Sequence, residues 1–230
     1  MPESPHAGHR ERLRARFRRV GLAGFAEHEV LELLLTLAIP RGDVKPAAKR
    51  LLGQFGSVAQ VLDASAEELE AVGGIGPVAA VGLQLVREVG TLYLREQIAG
   101  EEALNSIQQI EDFWRHKLGG LPMEVFEVAC VDAHNRLLPE VEDRVAEGDL
   151  NAVNVSPRRV IEVALRRNAN GLILVHNHPG GVAEPSPADR RLTAQLVKLA
   201  RPLGLRILDH LIISREAVFS FRRSGFLDED

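Results

Sequence analysis

A short apolar run, residues 172–175, leads directly into His176, Asn177 and His178, and this junction constrains the fold more than any other feature. An unbroken apolar run of this length, preceded by a glycine, is typical of a strand that is buried on both faces. Side chains alternate along a strand with a period of two, so both histidines must lie on the same face. The sequence therefore predicts a sheet covered on both sides, with two imidazoles together at the end of one strand.

Two different patterns divide the chain into an N-terminal and a C-terminal part. Residues 1–102 give helical patterns, among them an almost wholly apolar helix at residues 27–38, and predict a small all-α domain. Residues 103–230 intermix strands and helices, which predicts a layered α/β or α+β domain. The polar stretch 95–105 contains a glycine and lacks periodicity, so we expect it to be the linker between the two domains.

The start and stop residues of the C-terminal part mark its individual elements. Ser156 and Ser186 are each followed by a proline, and a capping serine with proline at the first helical position is typical of a helix start. The predicted elements are strands at residues 124–133, 137–145, 172–178, 206–214 and 217–221 and helices at residues 107–118, 156–168 and 187–203.

Composition limits the class of protein further. Hydrophobic residues make up 45% and charged residues 26% of the chain, as in soluble globular proteins. No run of 18 or more apolar residues occurs and the first residues lack the apolar stretch of a secretory signal, so we expect a cytoplasmic protein. Cys130 is the only cysteine, which excludes a disulfide framework and a multi-cysteine zinc site, and its apolar surroundings indicate packing rather than catalysis. Any metal must be held by histidine and carboxylate.

Residues 69–89 contain a helix, a turn at Gly74, Ile75 and Gly76, and a second helix, and this segment resembles the helix-hairpin-helix family. The glycines allow a sharp turn with backbone N–H groups exposed at a helix N-terminus, which suits a DNA phosphate and carries no base specificity. A helical hairpin that packs only against protein remains open as the alternative, because the net charge of −4 brings no strong basic excess.

Asp189 can complete a metal site with the two histidines. It follows eleven residues after His178, in the first turn of a predicted helix, where the chain can fold back to present a carboxylate oxygen. Two histidines and one carboxylate, with a fourth position left for water, are typical of a catalytic zinc site. Ser186 and Asp189 also have the spacing of a helix capping box, which explains the serine but not the histidine pair.

The spacing HxHP, six residues, Ser, two residues, Asp resembles the JAMM motif of the MPN metalloprotease superfamily, and the surrounding sequence resembles the bacterial RadC family. Residues 8–76 are similar to the RadC N-terminal domain, and residues 151–181 and 208–214 are similar to its C-terminal domain, so nearly the whole chain is covered. The resemblance implies a mixed-sheet α/β domain of the MPN/JAB type, layered like cytidine deaminases, preceded by a small all-α domain.

The resemblance also implies roles for individual residues. JAMM enzymes hold Zn²⁺ with two histidines and an aspartate, here Asp189, and use a glutamate from an upstream strand to take a proton from the metal-bound water. Glu124 matches that glutamate, and Glu127 is its rival. Ser186 would donate its hydroxyl to the metal-bound water or to the oxyanion of the tetrahedral intermediate. Iron or manganese would also accept such ligands.

Two further polar features bear on the site. Asn177 stands where eukaryotic deubiquitinating members commonly have Ser or Thr, which argues against a ubiquitin-like substrate. Asp209 and His210 precede an apolar strand, and we expect them to be a hydrogen-bonded pair in the core or a support for the ligands, rather than ligands themselves.

The functional expectation is a zinc metallopeptidase that hydrolyses an amide bond in a peptide or protein substrate. The alternative, suggested by the hairpin segment and by the association of the RadC family with DNA repair, is a DNA-binding accessory protein whose metal site is structural or vestigial. The two can coexist, with the N-terminal domain contacting DNA without sequence specificity. A nuclease is less favoured, because phosphodiester cleavage usually employs paired metals. No membrane partner is expected.

Overall fold

The computed structural model describes residues 7–103, 105–139, 143–148 and 155–227. The chain forms two compact units, Met1–Gly90 and Thr91–Asp230. Among the described residues, every helix is too short or too polar to span a membrane.

The first unit is an all-helical domain with one apolar core, as the sequence predicts. Leu31 and Leu35 from the second helix and Leu51 from the third are fully buried together, and the small side chains of Ala79 and Ala80 join the same core. Its elements are α1 (Ala7–Val20), α2 (Glu27–Ala38), α3 (Lys45–Phe55), α4 (Val58–Asp63), α5 (Ala66–Glu70) and the first part of α6 (Pro77–Ile98).

The first unit ends earlier than the predicted boundary between residues 102 and 103. The polar stretch 95–105, expected to be a linker, contains Ile98 and Ala103, which are fully buried in the core of the second unit. In the same stretch the N–H of Gly100 donates to the carbonyl of Leu137 at 3.0 Å. The average polarity of the stretch conceals these few apolar side chains, so the sequence underestimates how early the second unit begins.

The described part of the second unit contains a five-stranded mixed sheet in the order β2-β1-β3-β4-β5. Strands β3 and β4 are parallel, and the other neighbouring pairs are antiparallel. This arrangement confirms the predicted layered α/β domain behind an all-α domain. The elements are α7 (Ile107–Leu118), β1 (Glu124–Val131), β2 (Asp143–Gly148), α8 (Pro157–Arg166), β3 (Gly171–Asn177), α9 (Pro187–Ala200), a 3-10 turn (Arg201–Leu203), β4 (Arg206–Ile213) and β5 (Val218–Ser220).

Alternate residues of the central strands pack into two separate cores, one on each side of the sheet. Val125 and Val175 belong to the core that contains Trp114 of α7, whereas Phe126 and Leu174 belong to the core that contains residues of α8 and α9. The even-numbered residues of β1 and β3 therefore face α8 and α9, and the odd-numbered residues face α7. This alternation places His176 on the α9 side of the sheet.

The described part of strand β2, Asp143–Gly148, overlaps only the end of the strand that the sequence predicts at residues 137–145. Leu137 forms an isolated bridge with Val131, and Pro139 follows, which has no N–H to continue a ladder. Pairing with β1 is described from Asp143 to Gly148, with a register shift between Phe126 and Glu127, and residues 140–142 lie outside the described residues.

Replacing Ile98 by alanine tests the position of the boundary. Ile98→Ala is expected to lower the free energy of unfolding of the second unit by about 2–5 kcal/mol, because it leaves a cavity in that core. Trp114, the single tryptophan, lies in the same core, so its fluorescence during urea unfolding follows this unit. Leu165→Ala, at a side chain of the same unit that is 58% exposed, is the control and should cost less than about 0.5 kcal/mol. If both variants lose the same free energy of unfolding, Ile98 belongs to a linker and not to the core of the second unit.

Candidate metal centre

The structure brings together the three side chains predicted to be metal ligands. His176 lies at the end of β3, His178 follows the strand, and Asp189 is in the first turn of α9. The two Nε2 atoms lie 3.0 Å apart, the Nε2 of His176 is 3.3 Å from Oδ1 of Asp189, and the Nε2 of His178 is 3.7 Å from Oδ2 of Asp189. His176 is fully buried and the His178 side chain is 23% exposed, so the group opens to solvent on the His178 side.

The start of α9 fixes the carboxylate of Asp189. The hydroxyl of Ser186 accepts from the N–H of Asp189 at 3.2 Å, and the N–H of Ser186 donates to Oδ2 of Asp189 at 2.7 Å, which together form a capping box. Burial alone would raise the pKa of Asp189, but the adjacent imidazoles of His176 and His178 outweigh it and hold the pKa well below its usual range. The capping box does not compete with a ligand role, because it orients the same carboxylate toward both rings.

The ring of His178 is oriented by the loop that follows it. Its Nδ1 lies 3.0 Å from the carbonyl oxygen of Val182. A carbonyl can only accept, so Nδ1 carries the hydrogen and Nε2 faces the other ligands with its lone pair when the ring is neutral. The hydrogen bond with Asp189 raises the pKa of His178, with burial opposing it.

Glu124 lies at the start of β1 and completes the group. Phe126 pairs with His176 across the antiparallel β1 and β3, so Glu124, two residues earlier, projects from the same face at the same end of the sheet. A carboxylate oxygen of Glu124 and one ring nitrogen from each of His176 and His178 lie within 4.8 Å of one another. Four side chains with metal-ligating atoms therefore lie together here, those of His176, His178, Asp189 and Glu124.

Asn177, between the two histidines, points to the opposite face and holds the main chain around Glu124. Its Oδ1 accepts from the N–H of Val125 at 2.8 Å, and its Nδ2 donates to the carbonyl of Met123 at 2.9 Å. These atoms belong to the two peptide groups that flank Glu124. The amide therefore fixes the position of Glu124 relative to the histidines, a role that the sequence alone does not reveal.

Comparisons with known proteins agree with this geometry. The family model described as the RadC-like JAB domain matches residues 104–226. A UPF0758 protein of Fusobacterium nucleatum is 33% identical over 99% of this chain and 100% of its own length. UPF0758 proteins of Ruegeria pomeroyi and Rhodobacter capsulatus are 38% and 39% identical, over 95% and 94% of this chain and 97% and 100% of their own lengths. The chain belongs to the RadC family.

RadC membership confirms the resemblance on which the site was predicted. The RadC-like JAB domain has the fold of JAMM-type metal-dependent hydrolases, and the mixed sheet of the second unit is consistent with that fold. The group formed by the two histidines and Glu124 lies inside the matched residues, so it is a possible metal site of that fold.

Glu127, the rival for the role of Glu124 in this RadC chain, lies on the other face of β1. Its side chain is buried, with Oε2 2.6 Å from Nζ of Lys117 and 3.3 Å from Nε1 of Trp114. The Nε of Arg144 lies 3.6 Å from its other oxygen. Glu127 thus forms an ion pair with Lys117 on the α7 side of the sheet, away from the two histidines.

The Gly74, Ile75 and Gly76 turn of the first RadC unit has the backbone that the glycines suggest. Gly74 has a φ of +93°, and a Cβ there would lie 3.1 Å from Nη2 of Arg50. The guanidinium of Arg50 also donates to the carbonyl of Gly73 at 2.9 Å. Ile75 is buried in the core, so its side chain is not available to a ligand.

Thr193 and the Asp209-His210 pair extend the RadC site into the core. His210 is fully buried, with Nε2 2.9 Å from Nδ1 of His176 and Nδ1 2.7 Å from the hydroxyl of Thr193. Asp209 accepts from the Ser220 hydroxyl at 2.6 Å and does not join the ligand group. The sequence predicts the pair as support, but nothing in the local pattern distinguishes Thr193 from other polar residues of a helix.

A pair of substitutions separates the two glutamates. Glu127→Gln is expected to lower the free energy of unfolding by about 1–3 kcal/mol, because it leaves the partly buried ammonium of Lys117 without its counter-charge. Glu124→Gln removes a carboxylate from a group that already contains that of Asp189, so no loss is expected. Urea unfolding followed by circular dichroism measures both, and equal destabilisation by the two changes would contradict the assignment of the two faces.

Proposed function

We propose that this RadC-family protein is a zinc-dependent hydrolase that cleaves an amide bond, with Glu124 as the general base. The observation that carries the proposal is the convergence of two imidazole nitrogens and one carboxylate, 3.0–3.7 Å from one another, beside a second carboxylate. His176, His178 and Asp189 would hold the ion. This donor set is the one that catalytic zinc sites employ.

The spacing of these donor atoms fits a tetrahedral ion. With zinc-to-ligand bonds of about 2.0–2.1 Å, neighbouring ligand atoms lie about 3.3 Å apart. The Nε2 of His176 lies 3.0 Å from the Nε2 of His178 and 3.3 Å from Oδ1 of Asp189, which is close to this value. The Nε2 of His178 lies 3.7 Å from Oδ2, the other oxygen of the same carboxylate. A bound ion would supply a Lewis acid that polarises the substrate carbonyl and lowers the pKa of a water molecule.

Glu124 would handle the proton in this reaction. Its carboxylate takes a proton from the attacking water, whose oxygen adds to the amide carbon, and returns a proton to the nitrogen as the carbon–nitrogen bond breaks. Because Asn177 bonds to the peptide groups on both sides of Glu124, the main chain that carries this carboxylate is fixed beside the histidines. Peptide or protein amides are favoured over phosphodiesters, since the group contains donors for one ion rather than two.

Ser186 would stabilise the charge that develops on the substrate oxygen. Its hydroxyl oxygen accepts from the N–H of Asp189, which leaves the hydroxyl hydrogen to be donated. A preorganised donor of this kind is worth about 10²-fold or more in turnover. Ser186 thus combines two tasks, orienting Asp189 through the capping box and donating toward the reacting carbonyl.

Metal content and turnover, measured together, test the proposal. The wild-type protein is expected to bind zinc, and His176→Ala and His178→Ala are expected to lose it. Glu124→Gln should retain zinc and lose cleavage of a proteome-derived peptide library, read as new amino termini by mass spectrometry. Glu127→Gln is the matched control and should keep both properties. Undiminished cleavage by Glu124→Gln, or wild-type protein that never takes up a cation, would rule the mechanism out.

A second function, DNA binding by the first unit, is supported by the position of Arg50. Its exposed guanidinium lies next to the turn at Gly74, whose φ is positive. A DNA backbone phosphate that binds at this turn would therefore also meet the positive charge of Arg50. This contact would be independent of base sequence, and it would bring the hydrolase to DNA.

Salt-dependent binding to a short DNA duplex tests this second function. Arg50→Ala is expected to weaken binding at low salt and to reduce the slope of log affinity against log salt by about one. Gly74→Val should also weaken it, because valine rarely adopts a φ of +93°. Arg18→Ala, an exposed cation of α1, is the matched control. Fluorescence anisotropy measures all three, and absence of wild-type binding at low salt would end the idea.

A further inference from the structure

We propose that Thr193 and His210 are positioning residues that fix the tautomer of His176, so that its Nε2 faces the other ligands without a hydrogen. The inference rests on the proposed role of His176 as a metal ligand. It assigns a specific function to two buried residues that contact neither an ion nor a substrate.

Three hydrogen bonds in series connect the main chain of α9 to His176. The hydroxyl of Thr193 donates to the carbonyl oxygen of Asp189, one turn earlier, at 2.7 Å. The same hydroxyl oxygen lies 2.7 Å from Nδ1 of His210, and Nε2 of His210 lies 2.9 Å from Nδ1 of His176. We call these three hydrogen bonds the tautomer relay.

The direction of every hydrogen in the relay follows from its first member. The carbonyl of Asp189 has no hydrogen, so the hydrogen between it and Thr193 must be the single hydrogen of the hydroxyl. That hydroxyl then has none left for His210, and Nδ1 of His210 has to be the donor. A neutral His210 has one N–H, so its Nε2 accepts from Nδ1–H of His176. The remaining nitrogen of a neutral His176, its Nε2, is left with a lone pair.

The surroundings of His210 keep it neutral and keep water out of the relay. Thr193, His210 and His176 are all buried, and the rings of Phe126 and Phe221 lie against His210 with centroids 5.7 and 4.7 Å away. The partners of its two ring nitrogens are the Thr193 hydroxyl and the His176 ring, so no carboxylate bonds to the imidazole, and a fully buried ring without a counter-charge is favoured in its neutral form. With no solvent to exchange donors and acceptors, the single arrangement above satisfies all three hydrogen bonds at once.

The relay explains why the two ligand histidines have different supports. His178 donates directly to a main-chain carbonyl, that of Val182, which fixes its tautomer in one step. His176 has another imidazole at its Nδ1, and an imidazole can be donor or acceptor. Only the connection through Thr193 to a pure acceptor removes that ambiguity.

A substitution that removes one hydroxyl breaks the relay while preserving shape. Thr193→Val leaves Nδ1–H of His210 without an acceptor, so the other tautomer of His210, which donates to His176, becomes the favoured one. His176 then carries its hydrogen on Nε2, and the affinity for Zn²⁺ is expected to fall about 10–100-fold. Thr193→Ser keeps the hydroxyl and is expected to behave as wild type.

Two measurements decide the proposal. Nitrogen-15 correlation spectra of the imidazoles in metal-free protein show which nitrogen of His176 carries the hydrogen. Competition of Zn²⁺ with a chromophoric chelator gives the affinity, and urea unfolding followed by Trp114 fluorescence verifies that each variant is folded. The proposal expects hydrogen on Nδ1 in wild type and Thr193→Ser, and on Nε2 in Thr193→Val.

Each contrary outcome has a distinct meaning. Hydrogen on Nε2 of His176 in the wild type would overturn the relay, and so would a Thr193→Val variant with unchanged spectra and unchanged Zn²⁺ affinity, since Thr193 would then serve packing alone. A wild-type protein with the expected tautomer but no affinity for Zn²⁺ would refute the proposed hydrolase and leave the relay standing.

Discussion

The antiparallel pairing of β1 with β3 is the contact on which the site depends. With Phe126 opposite His176, Glu124 comes to lie beside the two histidines, whereas a shift of one residue would send it to the α7 side of the sheet. Asn177 reinforces this register, because its amide bonds to both peptide groups that flank Glu124. Asn177 thus lies between the two predicted ligands His176 and His178 in the sequence, and it positions Glu124 on the neighbouring strand β1.

Buried polar groups on both faces of the sheet make that register specific. On the α7 side Glu127 bonds with Lys117 and Trp114, and on the α9 side His176 bonds with His210. A slip of β1 would leave Glu127 buried without these partners, and a slip of β4 against β3 would separate His176 from His210, at a cost of about 1–3 kcal/mol for each group and more for a charge. The two polar clusters therefore exclude alternative pairings that the apolar residues alone would tolerate.

Local periodicity predicted much of the site, and contacts between distant segments account for what it missed. The period of two placed both histidines on one face, and the spacing of Ser186 and Asp189 predicted the start of α9. The contacts of Asn177 depend on which strand lies beside β3, which no local pattern states. The place of Ile98 in the core of the second unit is hidden from the sequence for a similar reason, because its burial becomes visible only when that core is assembled.

The N-terminal turn of α9 links the two kinds of ligand. Asp189 presents its carboxylate to both rings, while its main-chain carbonyl begins the hydrogen bonds that run through Thr193 to the far side of His176. The carboxylate and the carbonyl both belong to Asp189, which one capping box holds in place. A displacement of this turn would therefore move the carboxylate of Asp189 and at the same time disturb the tautomer of His176. The affinity of the site for an ion should consequently depend on the integrity of the helix start, where Ser186 acts on Asp189 directly and on His176 through the hydrogen bonds of Thr193 and His210.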